Sequence, residues 1–167
     1  MDGAAEAEFS EFAHSRWPRL VRLAYGITGD ADLAEDLVQT ALANAYASWA
    51  RVRRADDRDA YVRRILLNAY QGAFRKRRVR EQLTDSVPEV PAADPVAAHS
   101  DTSAIIAALL GLPPRQREVI VLRFWLDLTE AQVADTLRCS VGNVKSQTSR
   151  ALAKLRSSAD LADWGTH

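Results

Sequence analysis

Apolar residues recur three and four positions apart along most of this chain, and that rhythm leaves it little to become except packed helices. The only β-branched apolar run, residues 119–122, sits inside a longer helical pattern. Phe9, Phe12, Leu20, Leu23, Ala24 and Ile27 predict a helix over about residues 8–27, with a kink or break at Pro18. Thr28-Gly29-Asp30 then stops one helix and starts another. Gly29 suits the left-handed cap of the first and Asp30 the N-cap of the second. Leu33, Leu37, Ala41, Ala45 and Trp49 form the stripe of that second helix, about residues 31–49. A polar loop, 51–57, offers Asp56 or Asp57 as the cap of a third helix over about 58–78. Its Val62, Ile65, Leu66, Ala69 and Ala73 share one face, and Tyr61, Arg64, Asn68 and Arg75 another. Three helices of this length close a small bundle.

The pattern fails over residues 79–101, where three of the six prolines lie among Ala, Asp and Ser. Such a stretch reads as an extended, acidic linker. Helical periodicity then resumes. Ile105, Ile106, Leu109 and Leu110 mark one helix, ended by Gly111, and Pro113-Pro114 opens another that includes Val119, Ile120, Leu122 and Phe124. The expected fold is all-α: two small helical domains joined by a flexible linker. The expected boundaries are 1–78, a linker 79–101, a second domain 102–157 and a tail 158–167, in which Leu161 and Trp164 are candidates to dock.

Residues 129–156 carry the most specific signal. Thr129 and Gln132 form a capping-box pair, and Val133, Ala134 and Leu137 face inward. After the tight connection Arg138-Cys139-Ser140, Ser140 caps a longer helix striped by Val141, Val144, Thr148, Ala151 and Leu155. Short helix, turn, longer helix is the helix-turn-helix arrangement. Gly142, Asn143, Ser146, Ser149, Arg150 and Ala153 point away from the stripe, flanked by Lys145, Lys154 and Arg156. From Cys139 to Arg156 there are four basic residues and no acid, whereas an ordinary soluble face mixes both signs. Small, hydrogen-bonding residues at the helix start suit base edges in a major groove, and the flanking cations suit phosphates.

At face value the whole-chain charge argues against nucleic acid, because 22 Lys+Arg balance 22 Asp+Glu. Along the chain the balance dissolves into blocks: −5 over residues 1–50, +8 over 51–80, −5 over 81–101 and +2 over 102–167. Alternation of that size points to separate surfaces for separate partners. The chain has no apolar run of 18 residues, and its start, acidic and without a cationic n-region, lacks the signature of a secretory signal; no membrane insertion is expected. A single Cys139 excludes an internal disulfide and fits a reducing, cytoplasmic setting. His14, His99 and His167 make no metal-ligand spacing with it, no nucleophile–base set is evident, and no phosphate-binding glycine loop occurs. The expectation is no catalysis, no metal, no cofactor and no small-molecule substrate.

Four stretches resemble one family. They are Leu33-Ala34-Glu35-Asp36-Leu37-Val38-Gln39, Tyr61-Val62-Arg63-Arg64-Ile65-Leu66-Leu67-Asn68, Leu112-Pro113-Pro114-Arg115-Gln116-Arg117, and Cys139-Ser140-Val141-Gly142-Asn143-Val144-Lys145-Ser146. In this order and spacing they resemble the extracytoplasmic-function (ECF) sigma factors of RNA polymerase, most of all the actinobacterial branch. The resemblance implies a region 2-like first domain that binds the clamp of the β' subunit and opens the −10 element. It also implies a region 4-like second domain that meets the flap of the β subunit and reads the −35 element. The linker would thread toward the polymerase cleft, and an anti-sigma factor clamped between the domains is a further partner the family pattern allows.

Carried over residue by residue, Asp32, Glu35, Asp36 and Gln39 form an acidic-polar strip for core polymerase. The loop Arg53, Arg54, Ala55, Asp56, Asp57 would hold a flipped −10 base, with Tyr61, Arg64, Asn68 and Arg75 on the DNA side and Arg63 in the same basic block. Trp49 and Tyr61 could stack on bases, although Trp49 continues an apolar stripe and so reads first as core. Gly142, Asn143, Lys145, Ser146, Ser149, Arg150 and Lys154 would read the −35 duplex. The rival reading is a stand-alone helix-turn-helix regulator, which accounts for residues 129–156 but not for the +8 block or the acidic strip. A lipid-binding helical protein fits less well, because the arginines of the third helix surround it rather than forming one face.

Overall fold

The computed structural model describes residues 2–84 and 101–158. Among these, every regular element is a helix. In chain order they are α1 (Gly3–Thr28), α2 (Ala31–Ala47), α3 (Trp49–Val52), α4 (Arg58–Thr84), α5 (Asp101–Leu110), α6 (Pro114–Ile120), α7 (Glu130–Leu137) and α8 (Val141–Ser157). A π-helical turn, Val121–Trp125, continues α6.

The local signals mostly act as read. Asp30 Oδ1 accepts the Leu33 amide and caps α2, while Gly29 at φ 69° closes α1. Asp57, not Asp56, caps α4 through the Ala60 amide at 3.0 Å. Thr129 and Gln132 complete the capping box of α7.

Several expectations change. The first helix starts at Gly3, because Asp2 accepts the Ala5 amide at 2.7 Å and caps it there. It runs unbroken through Pro18, an exposed position. Trp49 does not end α2 but opens the separate short helix α3, since Ser48 takes up a non-helical backbone between them. The third long helix continues past Arg78 to Thr84, so the first six positions of the expected linker are helical. Phe124 lies exposed, on the π-helical turn rather than in an α-helix. Cys139 is half-buried, and Val141, expected on the inner stripe of α8, is exposed. The rest of the linker from residue 85 to 100, His99, His167, and the docking of Leu161 and Trp164 lie outside the described residues.

The first unit packs α1, α2 and α4 around Leu23, Ile27, Val38, Trp49, Val62 and Leu66. The second packs α6, α7 and α8 around Val119, Ile120, Leu122, Val133, Val144 and Ala151. These two cores are not separate, for buried side chains run continuously from one to the other. Arg22 and Trp125 clasp across the join. The indole Nε1 donates to Arg22 O at 2.8 Å, Arg22 Nε donates to Trp125 O at 3.0 Å, and the guanidinium lies 4.3 Å from the ring centroid. Arg117 donates to Leu109, Leu110 and Leu112 carbonyls at the end of α5, and across the join to Ile27 O and the Tyr70 hydroxyl.

Candidate nucleic-acid interface

The recognition-type helix α8 is set by its neighbours before it. Arg138 takes a left-handed backbone (φ 53°), which turns the chain sharply, and the Cys139 amide returns to Ala134 O at 3.1 Å. Ser140 Oγ then accepts the Asn143 amide at 3.0 Å. With Val144, Ala151 and Leu155 anchored below, Gly142, Asn143, Lys145, Ser146, Ser149, Arg150 and Lys154 are all exposed above. Among the described residues no acid forms a salt bridge with Lys145, Arg150, Lys154 or Arg156. The result is one open polar-cationic face whose leading end presents small side chains, a surface suited to a groove and its phosphates.

A second basic surface surrounds the loop between α3 and α4. Turn hydrogen bonds from Arg53, Arg54 and Ala55 amides to Trp49, Arg51 and Val52 carbonyls hold this loop. Arg53, Arg54 and Asp56 are exposed, while Ala55 and Asp57 are half-buried, the latter engaged as the α4 cap. Tyr61 is half-buried under the Arg64 guanidinium, 5.6 Å from its ring centroid, and Asn68 and Arg75 stand exposed further along the same face of α4. Trp49 is 1% exposed, edge-on to Phe9 at 5.3 Å and tilted against Phe12 at 5.4 Å. It is core, as its stripe predicts.

Arg63 is a correction to the basic block. It lies on the face of α4 that meets α7, 8% exposed, and donates to Thr136 Oγ1 at 3.1 Å. Burial pushes its pKa down, and Asp57, Asp59 and Asp135 offset part of that effect. In this arrangement Arg63 ties the two units together and is closed to phosphate. Helical periodicity alone cannot separate Arg63 from Arg64, because it does not know that a second unit covers one side of α4.

The acidic strip comes out as one surface. Ala34, Leu37, Val38, Ala41 and Ala45 are buried, which leaves Asp32, Glu35, Asp36 and Gln39 exposed on α2, clear of any salt bridge among the described residues. The strip and the two basic surfaces therefore occupy different helices.

The sequence reading missed three participants. Glu8 bridges Arg53 and Arg58, and Arg16 donates to Asp59 at 2.6 Å, which raises the Arg16 pKa. The signal for Glu8 was present in the capping residue Asp2 and in Ala4, Ala5, Glu6 and Ala7, good helix formers that carry α1 far enough to bring Glu8 over the loop. A cavity of about 380 Å³ also opens where the units meet, lined by Phe12, Arg16, Arg19, Asp59, Arg63 and Leu128, among others. No local pattern could have foretold it. Among the described residues no cluster of His, Cys, Asp and Glu is placed to hold a metal ion, and no helix is long and apolar enough to cross a membrane.

Comparison with known proteins agrees in both units. The family described as Sigma-70 region 2 matches residues 13–80, and Sigma-70, region 4 matches residues 102–155. The chain is 38% identical over 149 residues to the RNA polymerase sigma-E factor of Streptomyces coelicolor, covering 89% of this chain and 84% of that one. It is 33% identical over 140 residues to the ECF RNA polymerase sigma factor EcfG of Rhodopseudomonas palustris, covering 83% and 77%. Among solved structures it is similar to the sigma factor RpoE of Bartonella quintana in complex with the anti-sigma factor NepR. The TM-score is 0.78 at 30% identity, over 90% of this chain and 95% of that one.

Proposed function

The chain belongs to the ECF sigma factors of the sigma-70 family and directs promoter-specific transcription by RNA polymerase, and from that premise we propose how its surfaces divide the work. The unit of residues 1–78, with its helical extension, engages core polymerase and the −10 element. Residues 102–157 engage the −35 element and the β flap. Residues 79–101 connect them, and the chain works in the cytoplasm.

The acidic strip of Asp32, Glu35, Asp36 and Gln39 is the contact for the β' clamp, since exposed carboxylates on one helix favour a basic partner and steer its approach. The exposed face of α8 reads the −35 duplex. Asn143, Ser146, Ser149 and Arg150 reach base edges, with Gly142 allowing close approach, and Lys145 and Lys154 grip the backbone. The loop Arg53–Asp57 with Tyr61, Arg64, Asn68 and Arg75 receives the melted −10 strand. Each opened step costs about 1.4 kcal/mol of stacking. With no nucleotide-driven motor motif in the sequence, that cost is offset by capture of a flipped base and the single strand. The likeness to a sigma factor seen with an anti-sigma factor supports an anti-sigma protein as a further partner of this chain.

The observation that carries this reading is the set of three exposed surfaces, two basic and one acidic, on three different helices of one chain. A duplex-binding regulator needs only α8. The test is run-off transcription with purified core polymerase on a promoter template. Initiation at a defined site only when both proteins are present is the expected result. Site-specific duplex binding by the chain alone, with no effect on polymerase, would overturn it.

A further inference from the structure

The first turns of α1 lie over the loop between α3 and α4. Glu8 places one carboxylate oxygen 3.0 Å from Arg58 Nη1 and the other 2.8 Å from Arg53 Nη2. The two guanidiniums stand at opposite ends of the loop, 45% and 41% exposed, so solvent reaches both. Their placement is not casual. Arg58 lies 5.9 Å from the ring of the buried Trp49, and that ring is wedged against Phe9 and Phe12, neighbours of Glu8 on α1. The buried indole thus packs between Arg58 and the part of α1 that carries Glu8.

Two guanidiniums converging on a pair of oxygens that share one negative charge form the geometry in which arginine receives a phosphodiester. A phosphodiester offers the same charge and two non-bridging oxygens. We propose that Arg53 and Arg58 form a seat for one backbone phosphate of a nucleic-acid single strand, and that Glu8 fills this seat in the free chain as an internal competitor. The proposal rests on the reading of this loop as strand-facing, and adds to it a residue of opposite charge that holds its affinity down. A strand must displace Glu8 to bind. The chain alone then holds single strands weakly, and the capture of a base elsewhere in the site has to supply the difference.

The experiment is fluorescence anisotropy of a labelled oligothymidylate of about twelve nucleotides, within the range of single-strand site sizes. It is titrated with the full chain at low ionic strength, alone and bound to core polymerase. Glu8→Gln keeps the shape of the side chain and removes its charge. It should bind about fivefold tighter, the scale of two half-exposed ion pairs released. The gain should shrink as salt rises. Arg53→Ala and Arg58→Ala should each weaken binding, and in the Glu8→Gln background each should remove the gain, which assigns it to this seat and not to a change in total charge. Circular dichroism melts confirm that the variants fold. Unchanged or weaker binding by Glu8→Gln would make Glu8 a brace of the loop and overturn the proposal. If that occurs while run-off transcription succeeds, the phosphate seat alone is lost. If Arg53→Ala and Arg58→Ala also leave the oligonucleotide unaffected, the strand-facing loop is lost with it.

Discussion

Asp57 and Arg150 show how much one residue's role depends on its hydrogen bonds. The loop sequence Arg-Arg-Ala-Asp-Asp is crowded with charge for a site that would hold a base. The structure resolves part of that crowding, because Asp57 accepts the Ala60 amide and starts α4. Asp57→Ala should cost about 1 kcal/mol in urea unfolding, and Asp57→Asn should recover most of it, since asparagine caps equally well. An aspartate acting mainly on DNA would show no such rescue in stability. Arg150 is the opposite case, exposed on α8 with no salt bridge among the described residues. Arg150→Ala should weaken holoenzyme binding to a −35 duplex about tenfold, within the range of one lost bidentate base contact. Binding to a pre-opened −10 strand should be nearly unchanged, and equal loss in the two gel-shift assays would refute the assignment.

At the scale of elements, the contact between α1 and the π-helical turn decides how the second unit meets the first. Gly26 lies against this turn so closely that a Cβ would stand 2.9 Å from Val121 Cγ1 and 3.0 Å from Trp125 Cδ1. Val121 is fully buried and has nowhere to retreat. Gly26→Ala should therefore destabilise the chain by about 1–3 kcal/mol through overpacking, although alanine is the better helix former. Chemical denaturation measures this directly, and a stabilised variant would mean the contact yields. The periodic stripes that define α1, α2, α4, α7 and α8 were legible because each inner face obeys a 3.6-residue repeat, and the caps Asp30, Thr129 and Ser140 were legible because each satisfies amides only a few residues away, whereas the choice between Asp56 and Asp57 needed the structure. The extension of α4 to Thr84 was not legible, because residues 73–80 are exposed and carry no stripe into it.

For the whole molecule, the join between the units matters most. The Arg22–Trp125 clasp, the Arg117 bonds to Ile27 and Tyr70, and the buried Arg63–Thr136 bond all cross it. A continuous core predicts one cooperative unfolding transition for the free chain. Trp125→Ala removes the clasp on one side. It should lower stability by about 2–3 kcal/mol and split calorimetric unfolding into two transitions, one for each unit. A single transition at unchanged temperature would show that the join contributes little. Arg63 follows the same logic, since it becomes available to a phosphate only when the units part.

What the sequence determined by itself was everything that short-range periodicity and local hydrogen bonding control. That covers an all-helical chain, the helix-turn-helix with its acid-free face, the acidic strip on α2, and the −5, +8, −5 and +2 blocks hidden in a net charge of zero. What only the tertiary structure decided was which of the many arginines face outward. Arg64 and Arg75 lie on one side of α4, Arg63 is enclosed by α7, and Arg53 and Arg58 are held by Glu8 from the far end of α1. The physical reason is range. A helix's inner stripe is a property of neighbours three and four residues away, whereas a guanidinium's partner is whatever surface the fold brings beside it, here 45 to 73 residues distant along the chain.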